Sequence, residues 1–368
     1  MKVAHINLDD REAVAGLSLL PTLGVITADA NAFLIPTPDG GQATFGGLWS
    51  ALVHRRRQRC YGPLMLFRQL EYLVALSREK HFTRAAEACG VSQPALSEAI
   101  RKLEVELDLP LIIRGHKFEG LTVEGEQIVR RAERILADHA SLLHEAASLR
   151  SGVTGTVRLG VVPTAAATAA QLTGPLCIRH PLVTVNLAED LASNDITTRI
   201  DRFELDGGIT YLDDDVTSRY RTFPLYREHY ALLTADDPTL PRRIDMSWQE
   251  ASTLPMCTLP SIMRGRRILD EYFADAGASH TAQIETDSIA SLYAHVKTGQ
   301  WAAVIPHVWL KVFGEPPGLR CTRLAGGREA PTIGLITRAD GPASVLVQAL
   351  EATAVGLDQT SSGSPIDW

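Results

Sequence analysis

The residues best suited to recognition chemistry form the short run Ser92-Gln93-Pro94-Ala95-Leu96-Ser97. A glutamine side chain can pair with adenine, a serine hydroxyl accepts several bases, and an alanine methyl can touch the methyl of thymine. Arg101 and Lys102 follow one to two helical turns later and suit phosphate or guanine. This combination predicts contacts to DNA bases, and the alternative is an ordinary helical hairpin buried in a core.

Local sequence signals place this run at the start of a helix. Thr83 is expected to cap a first short helix, and Gly90 permits the positive φ that ends it. Ser92 then suits the cap of a second helix, with Pro94 in its first turn. The apolar positions of the second helix recur at spacings typical of one buried face: Leu96, Ala99, Ile100, Leu103 and Leu107. Two helices joined in this way form a helix-turn-helix.

The flanking residues extend the pattern into a family resemblance. The stretch resembles the LysR-type transcriptional regulators at Phe67, Ala85-Ala86, Ser92 to Ser97, Leu103-Glu104, Arg114 and Leu121-Thr122-Val123-Glu124-Gly125. It departs from them at Asp108-Leu109, where the family usually has Leu-Gly, and at Ile113, where Phe is usual. The resemblance implies an all-α winged helix-turn-helix over residues 65–122, with its wing near residues 115–120.

We expect the DNA-facing residues of this domain to be Arg68, Thr83, Arg84, Ser92, Gln93, Pro94, Ala95, Ser97, Arg101, Lys102, Arg114 and Lys117. The stretch from Met65 to Glu124 holds eight Lys or Arg residues against nine Asp or Glu residues. Its basic side chains must therefore be segregated toward the duplex, and the salt dependence of binding is expected to be modest.

Length, composition and charge limit the classes of protein to which this chain can belong. The chain has 368 residues, 45% hydrophobic content and a formal charge of −7, which suits two or three domains and confines any DNA contact to a local surface. Five scattered cysteines without a CxxC pair predict neither a zinc site nor a disulfide framework, and favour a reducing cytoplasm. The sequence contains no apolar run of transmembrane length, and no cofactor is predicted.

Residues 1–64 precede the family resemblance and are expected to be a disordered extension, or to lie upstream of a true start at Met65. Asp9, Asp10 and Glu12 stand where a signal peptide needs positive charge, so secretion is not predicted. The basic cluster at residues 54–59 can add phosphate contacts, although most such clusters are only solvated.

A long helix is predicted over residues 123–150, capped by Thr122. Its spacing of four and three predicts a coiled-coil seam formed by Ile128, Ala132, Ile135, His139, Leu142, Ala146 and Leu149. The resemblance makes this helix a linker that joins two copies of the chain. A homodimer or homotetramer can read a palindromic promoter site, with RNA polymerase as the further partner.

Strand and helix patterns alternate beyond Gly155, which predicts a parallel sheet covered by helices. The resemblance implies an α/β, two-lobed, periplasmic-binding-protein-like effector domain over residues 151–357. Lobe I is expected at residues 153–223 and 329–357, and lobe II at residues 225–325. The crossovers would lie near Phe223-Pro224 and Leu324-Ala325-Gly326, and residues 358–368 would form a tail.

Ligands of such sheets bind where strands end and helices begin. The residues expected at these places are Thr164, Ser193, Asn194, Thr258, Ser261, Ser288 and His307. Each is also a plausible helix cap, but together they favour a small anion in one cleft. The counter-charge would come from Arg264, Arg266, Arg267 or His307.

Catalytic motifs are missing from the sequence: it has no GxSxG, HExxH, P-loop or strand-linked GxGxxG. Asp213-Asp214-Asp215 is interpreted as a solvated turn, and Cys257 as a buried residue beside a strand, with redox activity as its alternative. We therefore predict a bacterial transcription regulator that is not an enzyme. The alternatives are a solute-binding protein without DNA contact and an enzyme with an appended DNA-binding domain.

Overall fold

The computed structural model describes residues 34–36, 42–44, 66–114, 118–237 and 243–361. The chain divides into two units, Met1–Leu66 and Phe67–Trp368. In the first unit, strands β1 (Leu34–Pro36) and β2 (Gln42–Thr44) pair in antiparallel fashion. The rest of the expected extension, including the basic cluster at residues 54–59, lies outside the described residues.

The second unit begins with three helices and a two-stranded wing. These elements are α1 (Phe67–Glu79), α2 (Phe82–Ala88), α3 (Gln93–Leu107), β3 (Ile112–Arg114) and β4 (Phe118–Leu121). Leu73, Leu96 and Leu103 are fully buried at the centre of their common core. The predicted winged helix-turn-helix is therefore confirmed.

The helix caps of the DNA-binding domain agree with the predictions except at Thr83. Ser92 caps α3, since its Oγ accepts the Ala95 N–H at 3.4 Å. The cap of α2 is His81, whose Nδ1 accepts the N–H of Thr83 at 3.2 Å. Thr83 is wrong as a cap because the helix begins at Phe82, two residues earlier than expected, and the histidine ring reaches the free N–H groups. Asp108 ends α3 with φ 53°, a left-handed conformation that an Asp tolerates better than a branched residue.

A long helix, α4 (Val123–Ser151), follows the wing. Thr122 caps it as predicted, because its Oγ1 accepts the Gly125 N–H at 2.8 Å. The first half of α4 packs against α1, and Val129 and Ala132 belong to the core of the helix-turn-helix. The second half runs beside β5 and the last helix of the chain.

Lobe I is built on a five-stranded sheet in the order β6-β5-β7-β15-β8. The strands are β5 (Thr154–Val161), β6 (Leu182–Ala188), β7 (Gly207–Tyr211), β8 (Tyr220–Arg227) and β15 (Thr332–Arg338). The covering helices are α5 (Ala166–Arg179), α6 (Ser193–Asp201), α7 (Asp214–Arg219) and α12 (Val345–Ser361). The expected parallel sheet is present in β5, β6 and β7, whereas β15 returns from lobe II and runs antiparallel to both β7 and β8.

Lobe II has a four-stranded sheet in the order β10-β14-β9-β13 and a parallel pair β11-β12. The strands are β9 (Tyr230–Ala235), β10 (Asp245–Ser247), β11 (Met256–Thr258), β12 (Ala282–Glu285), β13 (Ala303–Pro306) and β14 (Leu319–Ala325). The helices are α8 (Trp248–Ala251), α9 (Arg264–Asp275), α10 (Ile289–Lys297) and α11 (Val308–Phe313). None of the helices in the described parts of the chain is long and apolar enough to cross a membrane.

The crossover between the lobes lies later than expected. Phe223-Pro224 falls inside β8, which stays paired with β15 as far as Arg227 opposite Thr332. The chain therefore passes into lobe II at Glu228-His229, and it returns between β14 and β15. The expected tail also starts too early, because α12 continues to Ser361.

Candidate DNA-binding and effector sites

The polar face at the start of α3 is exposed to solvent. Gln93 and Ala95 are exposed, whereas Leu96 and Ile100 on the opposite face are buried. The Gln93 Nε2 donates to Ser97 Oγ at 2.9 Å, so the two side chains hold one another on the helix surface. This geometry matches that of a recognition helix, whose first residues reach base edges in the major groove.

The basic residues around α3 are held only by exposed contacts. Arg101 donates two hydrogen bonds to Glu98, both at 2.8 Å, and the pair lowers the pKa of Glu98. Such a solvated pair is weak, so Arg101 can exchange it for a phosphate. Arg84 Nη2 donates to the Glu79 carbonyl at 2.6 Å. Arg68, Thr83, Ser92, Pro94 and Lys102 are exposed, while the side chains of Arg114 and Lys117 lie outside the described residues.

A small enclosed cavity lies where the lobes meet. It measures about 20 Å³, room for a single water-sized group, and Thr164 and Thr258 both line it. The Trp309 Nε1 of lobe II donates to the Thr164 carbonyl of lobe I at 2.8 Å. Trp309 therefore joins the two lobes at the cavity wall.

A larger polar cleft of about 560 Å³ lies beside the start of α9. Ser193 and Asn194 line it together with Arg264 and Arg267. Arg264 and Gly265 are consecutive, and Gly265 lines the enclosed cavity, so the two spaces share this helix start. The cleft is also lined by one further positive residue, Arg219, and by three negative residues: Asp201, Asp213 and Asp215.

The expected effector residues thus divide between two spaces instead of converging on one. Ser261 is exposed in the turn before α9, whose cap is Met263, so Ser261 is wrong as a cap. Ser288 caps α10, and its neighbour Ile289 lines the cavity. His307 is buried next to Pro306, a residue of the cavity wall, and its Nδ1 lies 3.1 Å from both the backbone nitrogen and the carbonyl oxygen of His229.

Two other interpretations change with the structure. Asp213 is not part of a solvated turn: its Oδ1 accepts the Val216 N–H at 3.1 Å and so caps α7. Arg266 is buried and donates to Thr258 Oγ1 at 2.6 Å, to the Leu259 carbonyl and to acidic partners on α9 and β12. Arg266 therefore stabilises lobe II and leaves the cleft charges to Arg264 and Arg267.

The sequence-based prediction missed a buried polar group at the crossover. Tyr211 and Tyr230 both donate to Glu228 Oε1, at 2.9 and 2.8 Å. Burial raises the pKa of Glu228 to about 7, although these two hydrogen bonds oppose the shift. No signal in the sequence distinguishes this group, because Glu228 stands between Arg227 and His229, as a residue of an exposed polar turn would.

Three of the described cysteines, Cys89, Cys257 and Cys321, lie in environments that raise the pKa of the thiol. Cys257 is fully buried beside the cavity, as expected, and burial raises the pKa of its thiol. The pKa of Cys321 is raised to about 12 by burial and by Glu315. A reactive cysteine needs the opposite environment, with an adjacent cation and access to solvent.

These features define a DNA-binding regulator with a two-lobed effector domain. Residues 67–126 match the family of bacterial regulatory helix-turn-helix proteins of the lysR family, and residues 150–356 match the LysR substrate binding domain. The chain belongs to the LysR family of transcriptional regulators. This assignment decides against a solute-binding protein that makes no DNA contact.

Similar proteins support the same assignment. The hydrogen peroxide-inducible genes activator of Haemophilus influenzae is 27% identical over 289 residues, covering 76% of this chain and 92% of that protein. OxyR of Escherichia coli is 27% identical over 295 residues, with 76% and 91% covered. A full-length OxyR variant from Pseudomonas aeruginosa matches with TM-score 0.60 and 24% identity, covering 79% of this chain and 98% of that chain. Full-length CbnR in complex with its target DNA matches with TM-score 0.57 and 17% identity, covering 79% and 99%.

Proposed function

We propose that this regulator reads promoter DNA with the first turns of α3 and that a small anion bound between its lobes controls it. The observation that carries the DNA-reading part is the exposed polar start of α3, with Gln93 and Ala95 uncovered over a fully buried Leu96. Gln93 and Ser97 would read base edges. Arg68, Arg84, Arg101 and Lys102 would contact phosphates, joined by Arg114 and Lys117 of the wing.

The effector part rests on the start of α9. Arg264 and Arg267 bring positive charge to the cleft, and Ser193 and Asn194 bring the N-terminus of α6, whose N–H groups favour anions. Thr164, Thr258, Ser288 and His307 lie at or beside the adjoining cavity. A ligand that binds across both lobes favours one lobe arrangement over another, which is the requirement for control by a ligand.

The input signal of this chain is proposed to be ligand binding and not thiol oxidation. The Haemophilus influenzae relative is named as a hydrogen peroxide-inducible genes activator. Here burial raises the pKa of Cys257, the cysteine that lines the cavity, and it also raises the pKa of Cys89 and Cys321. Cys60 lies outside the described residues.

Oligomerisation through α4 completes the proposal. Ile135, Leu142 and Leu149 are 39%, 62% and 86% exposed, which leaves an apolar surface for a second copy of the helix. Ala132 is removed from the predicted seam, because it is 1% exposed in the core of its own helix-turn-helix. We propose a homodimer or homotetramer that acts in the bacterial cytoplasm together with RNA polymerase.

Replacing Gln93 by Ala tests the assignment of a base reader. We expect specific operator binding to weaken by about 1–3 kcal/mol, because one base contact is lost, while binding to random DNA stays unchanged. Fluorescence anisotropy with labelled DNA from the upstream intergenic region and with a shuffled duplex measures both affinities. Gln283→Ala, at an exposed position on β12, is the matched control. An equal loss on both duplexes would refute base reading by Gln93.

A further inference from the structure

A chain of hydroxyl groups connects the effector cavity to the crossover between the lobes. Thr164 Oγ1 lies 2.9 Å from the Tyr211 hydroxyl, and that hydroxyl lies 2.9 Å from Glu228 Oε1. Tyr230, which also lines the cavity, approaches the same carboxyl oxygen at 2.8 Å. This series of hydrogen bonds therefore links residues of both lobes to Glu228, the first residue of the connection between the lobes.

Glu228 is fully buried at this point, and its second oxygen, Oε2, has no hydrogen-bond partner among the described residues. The ionisable groups that face it from β7, β8, β9 and α9 are all phenols: Tyr211, Tyr226, Tyr230 and Tyr272. Its neighbour along the chain, Arg227, is exposed and pairs with Glu329 at 2.7 Å. The other neighbour, His229, is exposed as well. No cation within the described residues forms an ion pair with the carboxyl group.

The charge of Glu228 decides which way the hydroxyl protons point. Each hydroxyl has one proton to donate, whereas a carboxylate can only accept. When Glu228 is ionised, Tyr211 donates to it, so the Tyr211 oxygen must accept the proton of Thr164. Thr164 then has no proton left for a ligand and offers only lone pairs to the cavity.

Protonation reverses this arrangement. A neutral Glu228 carboxyl can donate its proton to the Tyr211 oxygen, and the Tyr211 proton then turns to Thr164 Oγ1. The Thr164 proton is released toward the cavity. The net change is the uptake of one proton from solvent, with no bond between heavy atoms formed or broken.

We propose that Glu228 is a positioning residue that switches Thr164 between hydrogen-bond donor and acceptor, so that a ligand carrying an acceptor oxygen binds with uptake of one proton. This inference rests on the proposed effector function. An acceptor such as a carboxylate binds the protonated switch, and a ligand that can only donate binds the ionised one. The switch therefore sorts ligands by hydrogen-bond polarity as well as by size.

The switch operates in a useful pH range, because burial raises the pKa of Glu228 to about 7. If only the protonated form binds an acceptor, the apparent affinity follows the protonated fraction. Affinity for a small carboxylate is then expected to fall about tenfold between pH 6 and pH 8.

Acetate is a suitable probe, because one carboxylate oxygen would fill the water-sized cavity at Thr164 while the rest of the ion would extend toward the adjoining cleft. Calorimetric titration of the full-length protein at pH 6, 7 and 8 measures its affinity. The wild type is expected to bind about tenfold more weakly at pH 8 than at pH 6. Glu228→Gln is expected to bind equally at both pH values, because the Gln amide donates to Tyr211 as the neutral acid does. Equal acetate affinity of the wild type at pH 6 and pH 8 would overturn the switch.

A second measurement needs no ligand. The C=O band of a protonated, buried carboxyl group can be followed by infrared difference spectroscopy across pH 5 to 9, with Glu228→Gln identifying the Glu228 band. Thr164→Val removes a donor to Tyr211 and so weakens the Tyr211 bond to the carboxylate, which is expected to move the midpoint upward. Thr164→Ser keeps the hydroxyl and is expected to keep the wild-type midpoint.

The two experiments separate the two ideas. If the Glu228 titration midpoint is the same in Thr164→Val and the wild type, the link between Thr164 and Glu228 is overturned, regardless of the acetate-binding result. Absence of acetate binding at every pH, together with a shifted midpoint in Thr164→Val, refutes the anion-binding function for this probe class and supports the link.

Discussion

His307 shows how burial changes the behaviour of a single residue. It is 3% exposed, and its Nδ1 lies 3.1 Å from both the backbone nitrogen and the carbonyl oxygen of His229. Burial lowers the pKa of His307 to about 4; a hydrogen bond to the His229 backbone opposes this shift, and His229 and Lys311 add smaller lowering effects. We therefore propose that His307 is a neutral ring that supports the crossover and does not supply the counter-charge of an anion.

Acid is therefore expected to destabilise the protein through His307. The folded state binds this proton only near pH 4, whereas the unfolded chain binds it near pH 6.5, so stability is present above pH 6.5 and is lost as the pH falls. The loss between pH 6.5 and 4 amounts to about 3 kcal/mol. His307→Asn keeps an acceptor but does not titrate, and urea unfolding at several pH values should show a flatter profile for it. Parallel profiles for both proteins would contradict the assignment.

At the scale of elements, α4 serves two different partners along its length. Its first half is covered by the helix-turn-helix, where Ala132 and Glu133 are buried. His139 marks the transition, because its ring stacks on Phe67 of α1 at 4.5 Å between centroids. Beyond it, Leu142 and Leu149 carry the exposed apolar surface. A second copy of the chain would therefore pair with the second half of the helix.

Placing charge on that surface is expected to separate the copies. The double variant Leu142→Glu and Leu149→Glu puts two carboxylates into an apolar contact, where unpaired charge is costly. Sedimentation velocity should show the wild-type oligomer converted to smaller species. Arg150→Glu, an exposed residue outside the seam, is the control and should keep the wild-type sedimentation. An unchanged oligomer in the double variant would place the interface elsewhere.

At the scale of the whole molecule, Arg78 connects three parts of the chain. It belongs to α1, and its guanidinium lies 3.7 Å from Glu133 of α4 and 3.5 Å from Glu204 of lobe I. It also donates to the Arg202 carbonyl at 3.3 Å. Burial raises the pKa of Glu133, and Arg78 opposes that shift. Arg78 therefore contacts both the long helix and lobe I from the DNA-binding domain.

Removal of Arg78 should cost more than the loss of a surface ion pair. Arg78→Ala leaves the buried Glu133 without its main partner, and we expect about 1–3 kcal/mol of destabilisation. Glu133→Gln removes the charge of the carboxylate. In that background, Arg78→Ala should therefore lower the free energy of unfolding by clearly less than it does in the wild type. Chemical denaturation of the wild type, Arg78→Ala, Glu133→Gln and the double variant gives the coupling energy between the two side chains. Additive effects would show that the two side chains do not interact.

The sequence alone determined what depends on near neighbours. Ser92 and Thr122 cap helices because each acts on an N–H three residues away, and the apolar spacing of α3 predicts its buried face from Leu96 to Leu103. These signals, with the family resemblance, identified the winged helix-turn-helix, the long helix and the two-lobed domain. Thr83 failed as a cap by two positions, because the true cap is His81 and histidine is not among the usual capping residues.

Tertiary structure decided everything that depends on distant partners. Strand β15 closes the lobe I sheet beside β8 only because the chain returns from lobe II, and that pairing moved the crossover to Glu228. Ala132 fits a coiled-coil spacing, yet its neighbours are α1 residues far away in sequence. Thr164, Tyr211 and Glu228 meet across separations of 47 and 17 residues. No local pattern encodes such a meeting, because packing of the two lobes sets which polar groups are buried together.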